Sequence, residues 1–308
     1  MAAISTMATT VNAARAQPMA RVHGSIAADY WRLTKPEVNF LILIATGAGF
    51  TLGCPVGVEA FPLLRLVNTV LATLLVASGA ATLNQYAERR FDAHMLRTAR
   101  RPLAAGRLDP SAVLRFGTAL TFAGILYLAL ALNTLASMLA VFTVASYLGV
   151  YTPLKRETPR CTLLGAFSGA VPPLIGWAAA SGRLSAGAWI LYGILFLWQF
   201  PHFMAIAWLY REDYDRAGYQ ILPPGAHRAR FVAWHSLLPA LALIPLSLMP
   251  ICLGDANRGY LIGAFLLSAG FAWCAAQLAL QRSNVTARRL LFGSILYLPA
   301  LLTLLMAA

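Results

Sequence analysis

Nine apolar stretches divide the chain, at about residues 38–54, 66–87, 112–132, 135–151, 162–180, 187–208, 231–253, 259–280 and 289–307. Each is close to the roughly 20 residues that an α-helix needs to cross a hydrocarbon core about 30 Å thick. No water is available in such a core to satisfy backbone N–H and C=O groups, so every crossing is expected as a helix bonded within itself. Short charged connectors separate the stretches. The pattern predicts an all-α polytopic membrane protein with nine transmembrane helices. Residues 1–35 are expected as a disordered or interfacial tail, and 36–308 as a single transmembrane domain.

Composition agrees with this pattern. Of 308 residues, 59% are hydrophobic and 11% charged, against about 25% charged in an ordinary soluble domain. Too few charges remain to cover a globule of this size in water. A soluble enzyme, a disulfide-stapled secreted domain and a disordered chain are excluded together.

The formal charge of +13 could suggest nucleic acid, but the placement of the basic residues argues against it. All but Arg65, Arg183 and Arg258 of the 24 Lys and Arg fall before the first stretch or in the loops after the second, fourth, sixth and eighth. Basic loops stay on the cytoplasmic side of a membrane. The amino terminus is therefore expected in the cytoplasm, or on the equivalent matrix side, and the carboxyl terminus opposite. Only Lys35 and Lys155 are lysines; the guanidinium excess suits phosphate pairing, although genome composition gives the same bias. Residues 1–28 weakly imitate a mitochondrial transit peptide. The reading adopted is a short tail, which favours a bacterial inner membrane over the mitochondrial one. The four cysteines lack C-x-x-C spacing, so neither a zinc site nor a dithiol redox motif is expected. Cys54 and Cys252 fall near loops on one expected side, where a disulfide is conceivable.

The fifth stretch holds Pro172 and Pro173, which should break it, and broken spans border cavities. Gly165 and Gly169 in the same stretch form a G-x-x-x-G pair suited to close helix approach. The second and sixth stretches each run into an acidic, Arg-bearing loop, a hint of internal repetition.

Chemistry concentrates in residues 84–107. Asn84, Glu88 and Asp92 recur every four residues and so share one helix face. Two carboxylates and an amide oxygen in a row are hard ligands of the kind that hold Mg²⁺ together with substrate phosphates. Arg97, Arg100 and Arg101 follow, and guanidinium forks bind phosphate bidentately. A salt-bridged loop capping a membrane helix is the plainer alternative. Against it stands Asn84, whose amide lies inside the apolar stretch, where a polar group without a partner is costly.

The run Asn84, Glu88, Phe91, Asp92, Met95, Arg97, Thr98, Arg101 and Gly106 resembles, position by position, the signature of the UbiA-type intramembrane prenyltransferases. Two further segments are similar to the branch of that family that acts on haem: residues 151–177, beginning YTPLKR and containing AVPPLIGW, and residues 198–223, beginning WQFPHF and containing DYDRAGYQILP. The resemblance runs from about residue 30 to the end.

It implies helices around a central cavity open near the cytoplasmic face, farnesyl diphosphate and haem B as substrates, haem O and diphosphate as products, and Mg²⁺ as cofactor. Among its implied roles, Asn84, Glu88, Asp92 and Asp213 hold the metal, and Arg97, Arg101, Lys155 and Arg156 meet the diphosphate. Phe91, Tyr151, Trp198 and Tyr214 wall the site, and His202 is a candidate contact to haem iron, ahead of His94, His227 and His235. The partners implied are the lipid bilayer and, downstream, a haem A synthase or terminal-oxidase assembly proteins. No nucleic acid is expected.

This chain departs from the pattern at Gln220 and Ile221, where the branch carries Pro-Met. It also lacks the second D-x-x-x-D of the quinone-type relatives, since Leu209 and Ala217 flank Asp213 at four residues. Glu212 and Asp215 are read as solvated loop charges. Two other functions remain open: prenylation of an aromatic quinone precursor, and a haem transporter or scaffold. The confinement of the polar cluster to one side disfavours the transporter.

Overall fold

A computed structural model describes residues 25–55, 60–254 and 256–308. Residues 1–24, which include most of the expected tail, lie outside the described residues. Among the described residues the chain is helical and contains no strand. Helix α1 (Ile26–Leu33) precedes α2 (Pro36–Gly53), α3 (Leu63–Asp92), α4 (Pro110–Tyr127), α5 (Thr134–Ala145), α6 (Cys161–Gly169), α7 (Pro172–Ser181), α8 (Ala186–Leu209), α9 (Arg211–Arg216), α10 (His227–Leu248), α11 (Arg258–Gln281) and α12 (Asn284–Met306). Nine segments among the described residues are long and apolar enough to cross a membrane.

Each expected stretch corresponds to one of these segments, and three differ from a simple helix in informative ways. Helix α3 does not stop at residue 87 but continues to Asp92, with Arg89 and Arg90 in its last turn, where basic side chains oppose the negative end of the helix dipole. At 1.5 Å per residue its 30 residues extend about 45 Å, well beyond the hydrocarbon thickness.

The fifth crossing is split: α6 ends at Gly169, and α7 restarts at Pro172, whose missing N–H and fixed φ suit a first helical position. After α5 the chain widens into a π-turn, Ser146–Tyr151, in which the Thr152 N–H donates to the Tyr147 carbonyl. Pro153 follows and has no N–H for an ordinary helical bond.

Helix α7 sits at the centre, against α2, α3, α5 and α8, while α8, α10, α11 and α12 close the other side. The difference in burial fixes this arrangement: 67% of the Cys161–Ser181 window is buried, against 17% of Thr134–Leu154. The Gly pair serves close approach as expected. A Cβ on Gly165 would stand 2.6 Å from the Tyr151 ring, and one on Gly169 would collide with the Gln199 amide of α8. All four cysteines are free, so Cys54 and Cys252 do not pair.

Candidate active site

The three rungs expected on α3 do share one face, and all are buried: Asn84 is 1%, Glu88 7% and Asp92 1% exposed. Around them the fold gathers cations from three separate segments. The Lys155 Nζ donates to Glu88 Oε1 at 2.7 Å, and the Arg101 guanidinium to Asp92 Oδ2 at 2.7 Å. The Lys35 Nζ donates to Asn84 Oδ1 at 3.2 Å. The Asn84 amide nitrogen donates in turn to Thr152 Oγ1 at 3.2 Å, and the Thr152 hydroxyl to the Tyr147 carbonyl. The π-turn therefore delivers Thr152 and Lys155 to the same face of α3.

Lys35 owes its place to the backbone. It occupies the junction of α1 and α2 with φ +50°, a left-handed conformation that non-glycine residues seldom adopt and that often marks function. Burial, and next the repulsion of Arg101, pull its ammonium below the usual lysine range. Sequence reasoning counted Lys35 only as a tail charge. Lys155 packs over the Tyr151 ring, 4.5 Å from its centroid, and Tyr147 stacks on Tyr151. A cleft of about 370 Å³ opens beside these groups, with Arg32, Lys35, Arg97, Arg100 and Arg101 facing a single acid, Glu37. Such a surplus of cations favours a multiply charged anion.

Asp213 behaves differently from the rungs. Its two oxygens accept from the backbone N–H groups of Leu96 and Arg97, each at 3.2 Å, and from Arg216 at 2.8 Å. It clamps the loop after α3. Glu88, Asp92 and Asp213 do not converge: among the described residues no three His, Cys, Asp or Glu side chains could together hold a metal ion. Of the four ligands expected from the sequence, Asn84, Glu88 and Asp92 lie on α3, and Asp213 is engaged by two backbone amides and Arg216.

The ladder itself fits a divalent cation, because Asp92 Oδ1 is buried with no hydrogen-bond partner among the described residues. A buried carboxylate oxygen left unpaired is costly.

The remaining expected residues fall into two places. Arg97 donates to the Tyr214 hydroxyl at 3.1 Å and lies over the Tyr210 ring, and Arg156 lies over Phe91. Of the residues expected at the site, Arg97, Tyr214, Arg156 and Phe91 thus gather at the carboxyl end of α3. Trp198 and His202 belong instead to the interface of α8 with α12. They stack at 4.8 Å, Trp198 Nε1 donates to the Ser294 carbonyl, and His202 Nδ1 is 2.7 Å from Ser294 Oγ. The Ser294 hydroxyl also lies 2.6 Å from the Leu291 carbonyl.

No hydrogen bond or ring contact among the described residues joins Trp198 or His202 to the ladder. His94 and His235 each bond a carbonyl of the preceding turn. Asp215 pairs with Arg228, and Glu212 with Arg211.

One more pair shapes the site. Arg107 donates through two nitrogens to Asp29, at 2.8 and 2.9 Å, and ties the loop after α3 to α1. That bonding holds the Asp29 carboxyl below its usual range.

The family model of the UbiA prenyltransferase family matches residues 39–297. This chain belongs to that family. Within it, the chain is 48% identical over 277 residues to the protoheme IX farnesyltransferase of Solibacter usitatus (strain Ellin6076), covering 88% of this chain and 95% of that one. It is 41% identical over 278 residues to the protoheme IX farnesyltransferase of Salinibacter ruber (strain DSM 13855 / M31), covering 90% and 97%.

Among solved structures, digeranylgeranylglyceryl phosphate synthase superposes with a TM-score of 0.72 at 17% identity, over 91% of this chain and 97% of that one. A UbiA homolog from Archaeoglobus fulgidus bound to GPP and Mg²⁺ superposes with a TM-score of 0.62 at 14% identity, over 90% and 99%. These two establish a shared fold.

Proposed function

We propose that this protein transfers the farnesyl group of farnesyl diphosphate to a vinyl group of protohaem IX, with addition of water, giving haem O and diphosphate. The observation that carries this reading is the buried Asn84–Glu88–Asp92 ladder hemmed by Lys35, Lys155 and Arg101. It occurs in a chain whose most similar relatives named above are protoheme IX farnesyltransferases. Asn84, Glu88 and Asp92 would hold Mg²⁺; adjacent rungs are about 6 Å apart, close enough to share an ion with phosphate oxygens. When bound, the ion supplies Lewis-acid neutralisation of the diphosphate.

The protein's own groups supply the rest. Heterolysis of the allylic C–O bond places negative charge on the leaving diphosphate, and Lys35, Lys155, Arg101 and, from the cleft, Arg97 stabilise that charge where it develops. Arg156 stands next to them over Phe91. Tyr151, Phe91 and Tyr214 present ring faces to the allylic cation and keep water from it. The vinyl carbon attacks farnesyl C1, and the cation left on the porphyrin side takes a hydroxyl from water and releases a proton. His202 and Trp198, in the interface of α8 with α12, are the candidates for contact with the porphyrin, His202 through its imidazole to the iron.

Asp213 serves the reaction by fixing the loop that carries Arg97 and Arg101. The basic loops support an amino terminus on the cytoplasmic side of a bacterial inner membrane, with the ladder on that side.

The test is incubation of the purified protein with farnesyl diphosphate, Mg²⁺ and either haem B or a hydroxybenzoate, followed by mass measurement of the extracted pigments. Farnesylated, hydrated haem is expected. Prenylated hydroxybenzoate with no haem product would replace this reading by the quinone-type one. Haem movement into vesicles without any new pigment would replace it by transport.

A further inference from the structure

Tyr219 lies beyond α9, in a turn that opens with Gly218 at φ +74°. Two backbone bonds hold it beside Lys155, the partner of Glu88: its N–H donates to the Tyr214 carbonyl at 2.9 Å, and the next N–H, of Gln220, to the Lys155 carbonyl at 2.8 Å. The ring leans on Phe91, 5.7 Å between centroids, and meets Tyr214 edge-on. Met95 and Ala217 complete this small cluster. Tyr219 is 5% exposed.

Its hydroxyl nonetheless has no hydrogen-bond partner among the described residues. That is unusual, because buried tyrosine hydroxyls find partners. Tyr260 donates to the Ser247 carbonyl at 2.6 Å, and Tyr297 bonds Ser268. Burial, followed by the charge of Glu88, pushes the phenol up, and Lys155, Asp92 and Arg101 also act on it electrostatically.

Tyr219 therefore offers an unused buried donor, and its ring leans on Phe91, the residue before Asp92, whose Oδ1 is an unused buried acceptor; the two do not bond each other. A lone anion would satisfy the phenol and be repelled by the carboxylate. A lone cation would do the reverse. A cation carrying an oxyanion satisfies both at once.

We propose that the Tyr219 hydroxyl donates a hydrogen bond to a phosphate oxygen of the diphosphate head and is a substrate-binding residue of this site. This rests on the reading that the ladder binds a metal diphosphate.

The experiment compares wild type, Tyr219→Phe and Tyr260→Phe, purified in detergent, by thermal unfolding with and without inorganic pyrophosphate and Mg²⁺. Without pyrophosphate, Tyr219→Phe should unfold at the wild-type temperature or slightly above it, because an unpartnered buried hydroxyl is removed. Its apparent affinity for pyrophosphate should fall about tenfold, as expected for losing one hydrogen bond to a charged group. KM for farnesyl diphosphate should rise by a similar factor while kcat changes less than about twofold. Tyr260→Phe should unfold at lower temperature and bind pyrophosphate like wild type.

A Tyr219→Phe protein that binds pyrophosphate as tightly as wild type overturns the proposal. So does one that loses thermal stability while keeping that affinity, since the hydroxyl would then be structural. If wild type itself gains no Mg²⁺-dependent stability from pyrophosphate, the reading of the ladder fails, and this proposal falls with it.

Discussion

Asp92 ends one long membrane helix and Asp213 stands just past another, each followed by arginines, and by sequence context they are near equivalents. Their oxygens are used in different ways. Asp92 gives one oxygen to Arg101, and the other is buried and unpaired among the described residues. Asp213 commits both to Leu96, Arg97 and Arg216. The first is arranged to receive something, and the second already holds a loop in place. Residue type and spacing thus nominate acids, while the partners already bound decide which of them can act.

The sharpest way to break this comparison is to remove each carboxylate in turn. Asp92→Asn should lower farnesyl transfer by at least about a hundredfold, with little change in unfolding temperature, because the freed Arg101 side chain reaches solvent. Asp213→Ala should instead leave two loop N–H groups and Arg216 without their acceptor. A loss of about 1–3 kcal/mol of stability and a drop of several degrees are expected, with turnover reduced about tenfold. Activity and thermal unfolding of both variants decide the matter. A stable Asp213→Ala protein as inactive as Asp92→Asn would make Asp213 a ligand after all.

A smaller effect is expected one layer away. Gly165→Ala would push a methyl group into the Tyr151 ring, and that ring supports Lys155, the partner of Glu88. Overpacking of this kind costs about 1–3 kcal/mol. It should raise KM for farnesyl diphosphate severalfold, while the same change at Gly47, where a Cβ meets nothing, leaves kinetics unaltered.

The smallest effect concerns the second clamp on the loop. The Asp29 carboxyl ionises more readily in the folded protein, through its bonds to Arg107. The pair therefore contributes in full above the unfolded carboxyl pKa of about 3.9 and is lost as pH falls through the lower folded value. Thermal unfolding between pH 6 and pH 3 should show a steeper acid loss in wild type than in Asp29→Asn. The difference should be about 1 kcal/mol or less, since Arg107 is partly exposed. Equal slopes would mean that Asp29 does not hold the loop.

The crossings, the ladder and the break at Pro172 were legible in the sequence, because each depends on local rules: apolar length, a four-residue period and a missing N–H. The partners of Asp213 were not. They are backbone amides 116 and 117 residues away, and no side-chain identity records them. Lys35 was missed because only a left-handed turn between two helices brings a tail lysine to Asn84. Tyr219 was missed because a tyrosine in a loop gives no signal until its hydroxyl is found without a partner. Thr152 sits within the YTPLKR run, but its bond to Asn84 requires the π-turn.

The overlong α3 has a kinetic consequence. Because the helix is longer than the hydrocarbon core is thick, its last turns are expected at the level of the lipid headgroups, where a substrate with an ionic head and an oily tail can be engaged without leaving the membrane. Its availability is then set by surface density and not by bulk molarity. Adding empty detergent micelles at fixed total substrate should slow turnover by simple surface dilution.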